Sequence, residues 1–290
     1  MNSFVRSLTT AIAASTCFLA CSQGNKKVLD AIELPKELKE VSGITYVKGN
    51  DILYAIEDSG NENTIYGLNA KAELVEEITI EGIENKDWED ITSDADGNLY
   101  IGDFGNNENA RKDLVIYKVK AKDIQNKKVT AVEAIRFIYP EQTAFPPKKS
   151  GLFYDVEAFM LYNNNFYLFT KNRSKNFDGT TLLYCVPNVP GNHQAKLLGS
   201  FVTGPDYNHD AITGAALSPD KTKMALLSHS YVWVFKNFAS DDFFNGEVTK
   251  MDLQHYSQKE AITFKDDATI LIADEKTKKV GGKLYQYKIK

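Results

Sequence analysis

One pattern returns five times along this 290-residue chain, and it restricts the fold more than any other feature. Its clearest copy is Trp88-Glu89-Asp90-Ile91-Thr92, a turn at Asp96-Gly97-Asn98, then Leu99-Tyr100-Ile101-Gly102-Asp103. That is a short apolar strand opened by a carboxylate, a turn, and a second strand closed by a carboxylate. Four repeats read as four strands each. The first has Val41–Val47, Ile52–Glu57, Thr64–Asn69 and Leu74–Ile80; the second has Glu89–Ser93, Asn98–Asp103, Leu114–Val119 and Val132–Tyr139. The third has Val156–Tyr162, Phe166–Thr170, Thr181–Val186 and Ala195–Val202; the fourth has Ile212–Leu217, Lys223–Ser228, Tyr231–Phe235 and Glu247–Leu253. The fifth has only Glu260–Phe264, Thr269–Ala273 and Leu284–Ile289.

One strand candidate is left over at the other end, Val28–Leu34, stopped by Pro35. A circular array resolves the mismatch, because the N-terminal strand can serve as the outer strand of the last unit. The expected fold is therefore an all-β, five-bladed β-propeller, in which radial repetition leaves only short protected edges. A six-bladed ring with one degenerate blade is the alternative, and a sandwich or barrel the third choice. Strand stretches are rich in Ile, Val, Tyr, Phe and Thr, as a pleated surface requires. No stretch of 12 residues beyond the N-terminal segment keeps a 3.6-residue period. The residues Gly43, Asp90, Ala158, Gly214 and Ala261 mark the five openings, at intervals of 47, 68, 56 and 47. The longer intervals are assigned to loop residues at Lys120–Thr130 and Gln142–Ser150.

The N-terminus reads as a leader. Arg6 supplies a positive start, and Leu8 to Ala20 is uncharged, too short to span a membrane. It ends in Phe18-Leu19-Ala20-Cys21-Ser22, which resembles a bacterial lipobox with Phe18 in place of the usual aliphatic residue. The expected organisation is a signal peptide over 1–20, lipidation at Cys21, a tether over 21–27 and a single propeller domain over 28–290. The resemblance implies a bacterial envelope protein anchored by lipid, and Ser22 favours the outer membrane; an ordinary secretory signal is the alternative. Cleavage removes Cys17 and acylation uses Cys21, leaving Cys185 alone in Leu182-Leu183-Tyr184-Cys185-Val186, as a small core residue. A formal net charge of −5 and the lack of any basic run longer than Lys-Lys argue against nucleic acid or a polybasic membrane patch. A monomer is expected.

Stacking the repeats aligns two rings. The residues before the five markers are Ser42, Glu89, Glu157, Thr213 and Glu260. The first strand of a blade lines the central channel, so these side chains should gather at one mouth. The ends of the second strands read Asp58, Asp103, Lys171, His229 and Asp274, at spacings of 16, 14, 14, 16 and 14. An antiparallel return brings them to the same face. Three glutamates at one opening repel unless a cation or hydrogen bonds offset them. A hard cation held by carboxylate oxygens is one answer, Ca2+ above others because it accepts 6–8 oxygens in loose geometry. Glu89, Glu157 and Glu260 are the leading metal candidates, with Asp103 and Asp274 second. Ser42, Asp58, Lys171, Arg173 and Thr213 are candidates for ligand contacts. The plainer alternative is a polar, water-filled channel whose glutamates bond backbone N–H groups of the next blade.

Ring carboxylates of this kind resemble those of the gluconolactonase and senescence-marker-protein propellers. There they bind a divalent cation, usually Ca2+, and the reaction is lactone or ester hydrolysis. The matching positions are Glu89, Glu157 and Glu260, although those families have six blades. Trp88–Ile91 and Gly102–Asn107 also look like stretches of uncharacterised secreted or lipid-anchored propellers.

Loops after the second strands are polar and long, at 58–63, 103–109 and 171–179. Their Asn, Asp and Gly suit turns, while Asn beside exposed Phe104, Phe177 and Tyr207 suits sugars. His209 and His229 are placed near the mouth as candidate general bases. Gly-x-Ser-x-Gly, phosphate-cradling glycine motifs, Cys/His zinc spacings and the EF-hand order are missing. Three readings follow: binding of a saccharide, peptide or protein ligand at an acidic mouth, with Ca2+ as mediator; a metal-dependent lactone, ester or phosphoester hydrolase; and a non-catalytic scaffold.

Overall fold

The computed structural model describes residues 28–47, 49–130, 132–278 and 280–289. The 1–20 leader, Cys21 and the 21–27 tether lie outside the described residues. Among the described residues no helix is long and apolar enough to cross a membrane.

Five antiparallel sheets stand in a ring as a five-bladed β-propeller. From the channel outward, blade 1 contains Val41–Tyr46, Leu53–Glu57, Thr64–Leu68 and Leu74–Ile80. Blade 2 contains Trp88–Ser93, Leu99–Asp103, Val115–Val119 and Glu133–Ile138. Blade 3 contains Asp155–Tyr162, Asn165–Lys171, Thr180–Pro187 and Lys196–Val202. Blade 4 contains Ile212–Leu217, Lys223–Ser228, Tyr231–Lys236 and Glu247–Asp252. Blade 5 contains Lys259–Asp266, Thr269–Asp274 and Lys283–Lys288, and its outer strand is Val28–Glu33 from the start of the chain. That strand runs antiparallel to Lys283–Lys288, pairing Ile32 with Leu284.

Two connections do more than the loops expected of them. Residues within Lys120–Thr130 form the short helix Ala121–Ile124 and the strand Lys128–Val129, which pairs in parallel with the outer edge of blade 1. Gly191–Gln194 pairs in parallel with the outer edge of blade 2. Both cover exposed strand edges.

Strand alternation explains how the ring is filled. Successive side chains point to opposite faces of a sheet, and both faces of each blade are covered by neighbours. In blade 2, Leu99 and Ile101 pack on blade 1 with Tyr54, Ile56 and Ile78. Tyr100 and Phe104 face blade 3 with Phe159, Phe166 and Tyr184. The remaining three junctions have apolar cores of their own, so the hydrophobic core is five wedges rather than one centre. Cys185 is half-buried against the wedge between blades 3 and 4.

One irregularity is repeated in all five innermost strands. The pairing skips a residue between Val41 and Gly43, Trp88 and Asp90, Val156 and Ala158, Ile212 and Gly214, and Lys259 and Ala261. The skipped residues are Ser42, Glu89, Glu157, Thr213 and Glu260. A β-bulge leaves one residue outside the ladder and re-aims its side chain. The following position must then stay narrow where blades crowd. A Cβ on Gly43 would sit 2.6 Å from the Ile91 nitrogen and 2.7 Å from the Asp90 Cα. Gly43→Ala should therefore lower unfolding stability by about 1–3 kcal/mol, the usual cost of overpacking. Gly151→Ala, where the nearest atom is 3.8 Å away, should change it by no more than about 0.5 kcal/mol. Urea unfolding followed by tryptophan fluorescence separates the two.

Candidate functional site

The five bulged side chains divide by type. The two hydroxyls, expected to meet a ligand, instead tie blades together. Ser42 Oγ donates to the Trp88 carbonyl at 2.7 Å, and Thr213 Oγ1 donates to the Lys259 carbonyl at 2.6 Å. Asp90 makes a comparable tie from the next position, its Oδ2 accepting from the Phe159 N–H at 3.1 Å. Burial pushes the Asp90 carboxyl well above the usual range. The three glutamates go to the mouth.

Glu157 is the best neutralised of them. Lys171 Nζ lies 2.9 Å from Oε2, and Arg173 Nη2 lies 2.5 Å from Oε1. Arg173 Nε also meets Asp155 Oδ2 at 2.6 Å, while Asp155 Oδ1 accepts the Asn106 N–H at 2.6 Å. Burial alone would raise the Glu157 carboxyl, but the two cations hold it below the ordinary value. Burial, with the Glu157 charge adding, pushes the Asp155 carboxyl up to about 7 against the pull of Arg173 and Lys171. Arg173 reaches Tyr207 as well, Nη1 donating to its hydroxyl at 2.6 Å, and Tyr207 packs edge-on against Phe177 with centroids 5.3 Å apart.

Glu260 Oε1 lies 3.0 Å from His229 Nε2 and accepts from its N–H. The other His229 nitrogen is buried without a partner among the described residues. His209 Nδ1 lies 2.7 Å from Ser230 Oγ, and Tyr256 packs against both histidines.

Glu89 differs from both. It is only 7% exposed. Among the described residues no hydrogen-bond donor and no cation reaches its carboxylate. Burial first, then the charges of Glu157, Asp58, Asp155 and Asp87, raise its carboxyl well above the ordinary value. Its oxygens fall within 4.8 Å of two acidic groups, Asp58 with Asp87 on one side and Asp155 with Glu157 on the other. Gly105 makes the room: a Cβ there would lie 2.1 Å from Glu89 Oε1 and 2.5 Å from Asp87 Oδ2. Burial pushes the Asp58 carboxyl up to about 7, and raises Asp87.

The second ring is offset from the one read in the sequence. Val41 pairs with Glu57, Trp88 with Asp103, Ile212 with Ser228 and Lys259 with Asp274. One residue further along lie Asp58, Phe104, His229 and Glu275. The expected ring therefore mixed two levels. Asp103 turns to Arg111, whose Nη2 lies 2.8 Å from its Oδ1. Asp274 accepts from the Tyr285 hydroxyl at 2.9 Å and the Lys283 N–H at 2.8 Å. Neither belongs to an acidic cluster with metal-ligand spacing among the described residues. Phe104, expected at the surface, is fully buried in the wedge between blades 2 and 3.

Asp87, Asp155 and Glu275 were missed by the sequence reading. The first two carry a signal that was there to find: Asp87-x-Glu89 and Asp155-x-Glu157 repeat one doublet in adjacent blades. Glu275 follows Asp274 and became visible only with the true register.

With the geometry in place, comparison with known proteins adds a family match over part of the chain. The SdiA-regulated family model matches residues 19–144. That stretch includes blades 1 and 2, with Asp58, Asp87 and Glu89. Among curated proteins none matches the chain. Solved structures resemble it in fold. The PQQ-bound aldose sugar dehydrogenase of Streptomyces coelicolor aligns over 91% of this chain and 98% of its own, with a TM-score of 0.53 at 10% identity. The nidogen of a nidogen/laminin complex or its partner aligns over 82% and 73%, with a TM-score of 0.47 at 11% identity. At these identities the likeness speaks to the fold alone.

Two measurements test the electrostatics. Lys171 is buried and raised by Glu157 despite its own burial, so Lys171→Met should destabilise by about 1–3 kcal/mol by leaving Glu157 to Arg173 alone. Adding Glu157→Gln should recover most of that loss in urea unfolding. Glu275 has its carboxyl pushed up from 4.5 to about 8, by burial first and then by Glu260 and Asp58. Between these values the native state holds a proton that the unfolded chain has released, so stability falls as pH rises from about 4.5 to 8. Thermal midpoints without divalent ions should drop across that range, and Glu275→Gln should flatten the drop.

Proposed function

We propose that this propeller binds a positively charged ligand, an organic ammonium group or a metal ion, at the mouth formed by the starts of its inner strands. The observation that carries the reading is Glu89, buried among four other carboxylates and without a cation or donor of its own. A buried carboxylate without a partner either takes a proton, in line with the raised Glu89 carboxyl, or is met by a charge that a ligand supplies. Arg173, Tyr207 and Phe177 form a rim beside it that can hold the rest of a small molecule, by hydrogen bonds and by ring contact. A saccharide bearing an amine and a basic peptide both have this chemistry.

Binding is favoured over hydrolysis by the state of His229, which uses Nε2 on Glu260 and buries Nδ1. A general base needs a nitrogen within reach of the proton it takes. The aldose sugar dehydrogenase shares the fold with this chain at 10% identity, which supports a propeller mouth as a binding surface and assigns no redox chemistry.

The test is a thermal-shift panel at pH 7.5: spermidine, glucosamine, Lys-Lys, CaCl2 and MgCl2, against glucose and glucuronate. At least one cationic member at hundredfold excess over its Kd should raise the midpoint by about 5–10 °C. Glucuronate should not, and Glu89→Gln should abolish the rise. A panel in which no cation shifts the midpoint, or in which Glu89→Gln responds like the native chain, overturns the reading.

A further inference from the structure

The mouth holds two groups of three carboxylates that share Glu89: Asp58, Asp87 and Glu89 on one side, Glu89, Asp155 and Glu157 on the other. They are chemically unlike. On the second side Arg173 and Lys171 already occupy oxygens of both Asp155 and Glu157, two cations for two carboxylates. A metal there would have to displace a guanidinium held by three bonds, to Asp155, Glu157 and Tyr207. On the first side no salt bridge among the described residues reaches Asp58, Asp87 or Glu89. The nearby Arg111 is committed to Asp103 at 2.8 Å and Asp113 at 3.1 Å. Ser59 serves this side, its N–H donating to Asp58 and its hydroxyl bonding Asp87; the Asp58 and Asp87 side chains also hydrogen-bond each other, and the Arg111 charge acts on Asp87 without pairing with it.

We infer that Asp58, Asp87 and Glu89 form a divalent-cation site, selective for Ca2+, at the junction of blades 1 and 2. This rests on the mouth being the binding site and specifies what fills its acidic half. Two independent features support it. Glu89 is more than nine-tenths buried, unpartnered, and directed at the other two carboxylates. Gly105 lets Glu89 and Asp87 lie side by side where any Cβ would clash with both. The three side chains come from three kinds of backbone: the exit of a second strand, the residue before a β-bulge, and the bulge itself. Such a set suits an ion that tolerates irregular geometry and completes its shell with water. Ca2+ accepts 6–8 oxygens at 2.3–2.6 Å, whereas Mg2+ demands a near-ideal octahedron at 2.0–2.1 Å.

Isothermal titration of the EDTA-treated, dialysed protein with CaCl2 and then MgCl2 tests the site. One Ca2+ per chain should bind, at least tenfold tighter than Mg2+. Asp87→Asn and Asp58→Asn should each weaken Ca2+ by at least tenfold, the second serving should the first fail to fold. The pair Lys171→Met/Glu157→Gln, which dismantles the other side while keeping charge balance, should leave Ca2+ affinity within threefold. No Ca2+ heat in the native protein overturns the site. So does binding that survives both Asp58→Asn and Asp87→Asn, or that vanishes in the Lys171/Glu157 pair. If Ca2+ fails while an amine from the thermal-shift panel still binds in a Glu89-dependent way, the metal inference falls and the mouth remains a binding site.

Discussion

A single extra residue at the start of each inner strand governs this molecule. Without the bulge, residues 42, 89, 157, 213 and 260 would take part in the ladder and alternate between the two faces of their blades. With it, each is released from pairing and turned along the channel. Bulges also bend the strand and increase its twist, at the point where five sheets must converge without colliding. The same device thus shapes the ring and sets the side chains at its mouth. It explains why Ser42 and Thr213 stand in register with three glutamates yet act as clasps. A short hydroxyl released at this position reaches only the next blade's backbone, whereas a glutamate extends past it into the opening.

Charge is distributed unevenly around that opening because compensation comes from one blade. Lys171 and Arg173 both leave the end of the second strand of blade 3 and fold back on Asp155 and Glu157 of its first strand. At the same exit, blade 1 offers Asp58, blade 2 Phe104 and blade 5 Glu275. Among the described residues no cation pairs directly with the acidic groups Asp58, Asp87 and Glu89 of blades 1 and 2, Arg111 acting on Asp87 only at a distance while bound to Asp103 and Asp113. Phe104 sharpens the contrast. Its ring is spent on the wedge against Phe159 and Phe137, and the chain after it forms a rigid loop in which Asn106 and Asn109 bond the backbone of residue 154. That loop carries Gly105 to the two carboxylates.

The ring of five blades was legible because its evidence is redundant. Every blade repeats an apolar alternation, and the three-strand remainder at the C-terminus has one matching strand at the N-terminus. Loop residues that add a parallel fifth strand were not legible, since Lys128–Val129 is too short to carry a pattern. The site was half readable. Glu89, Glu157 and Glu260 were found because they precede a small or crowded position. The second ring failed at Asp103 and Asp274 for a physical reason: the hairpins differ in turn length, two residues between Tyr162 and Asn165 but five between Ser93 and Leu99, so equal sequence spacing does not give equal height. Asp58 and His229 stood one residue beyond the paired position, Asp103 and Asp274 at it. Their identical chemistry in sequence concealed opposite surroundings, a mouth for Asp58 and an arginine pocket for Asp103.

The opposite end of the channel shows why charge alone does not mark a site. It opens into a cavity of about 520 Å³ lined by the far ends of the inner strands, with Asp94 and Asp266 on its walls. There Asp94 and Asp266 are satisfied locally. Asp94 accepts from Asn98, Asp96 and the Tyr100 hydroxyl, and Asp266 from the Ala268 N–H. Burial is the largest single influence and raises both, but the hydrogen bonds together outweigh it and hold both groups below the ordinary carboxylate range. Such acids have finished their chemistry within a turn and draw nothing from solution. At the bulged end the balance is reversed for Glu89: burial raises its carboxyl and no donor among the described residues reaches it. The two mouths are both acidic, and they differ in how far their carboxylates are already satisfied by the chain itself.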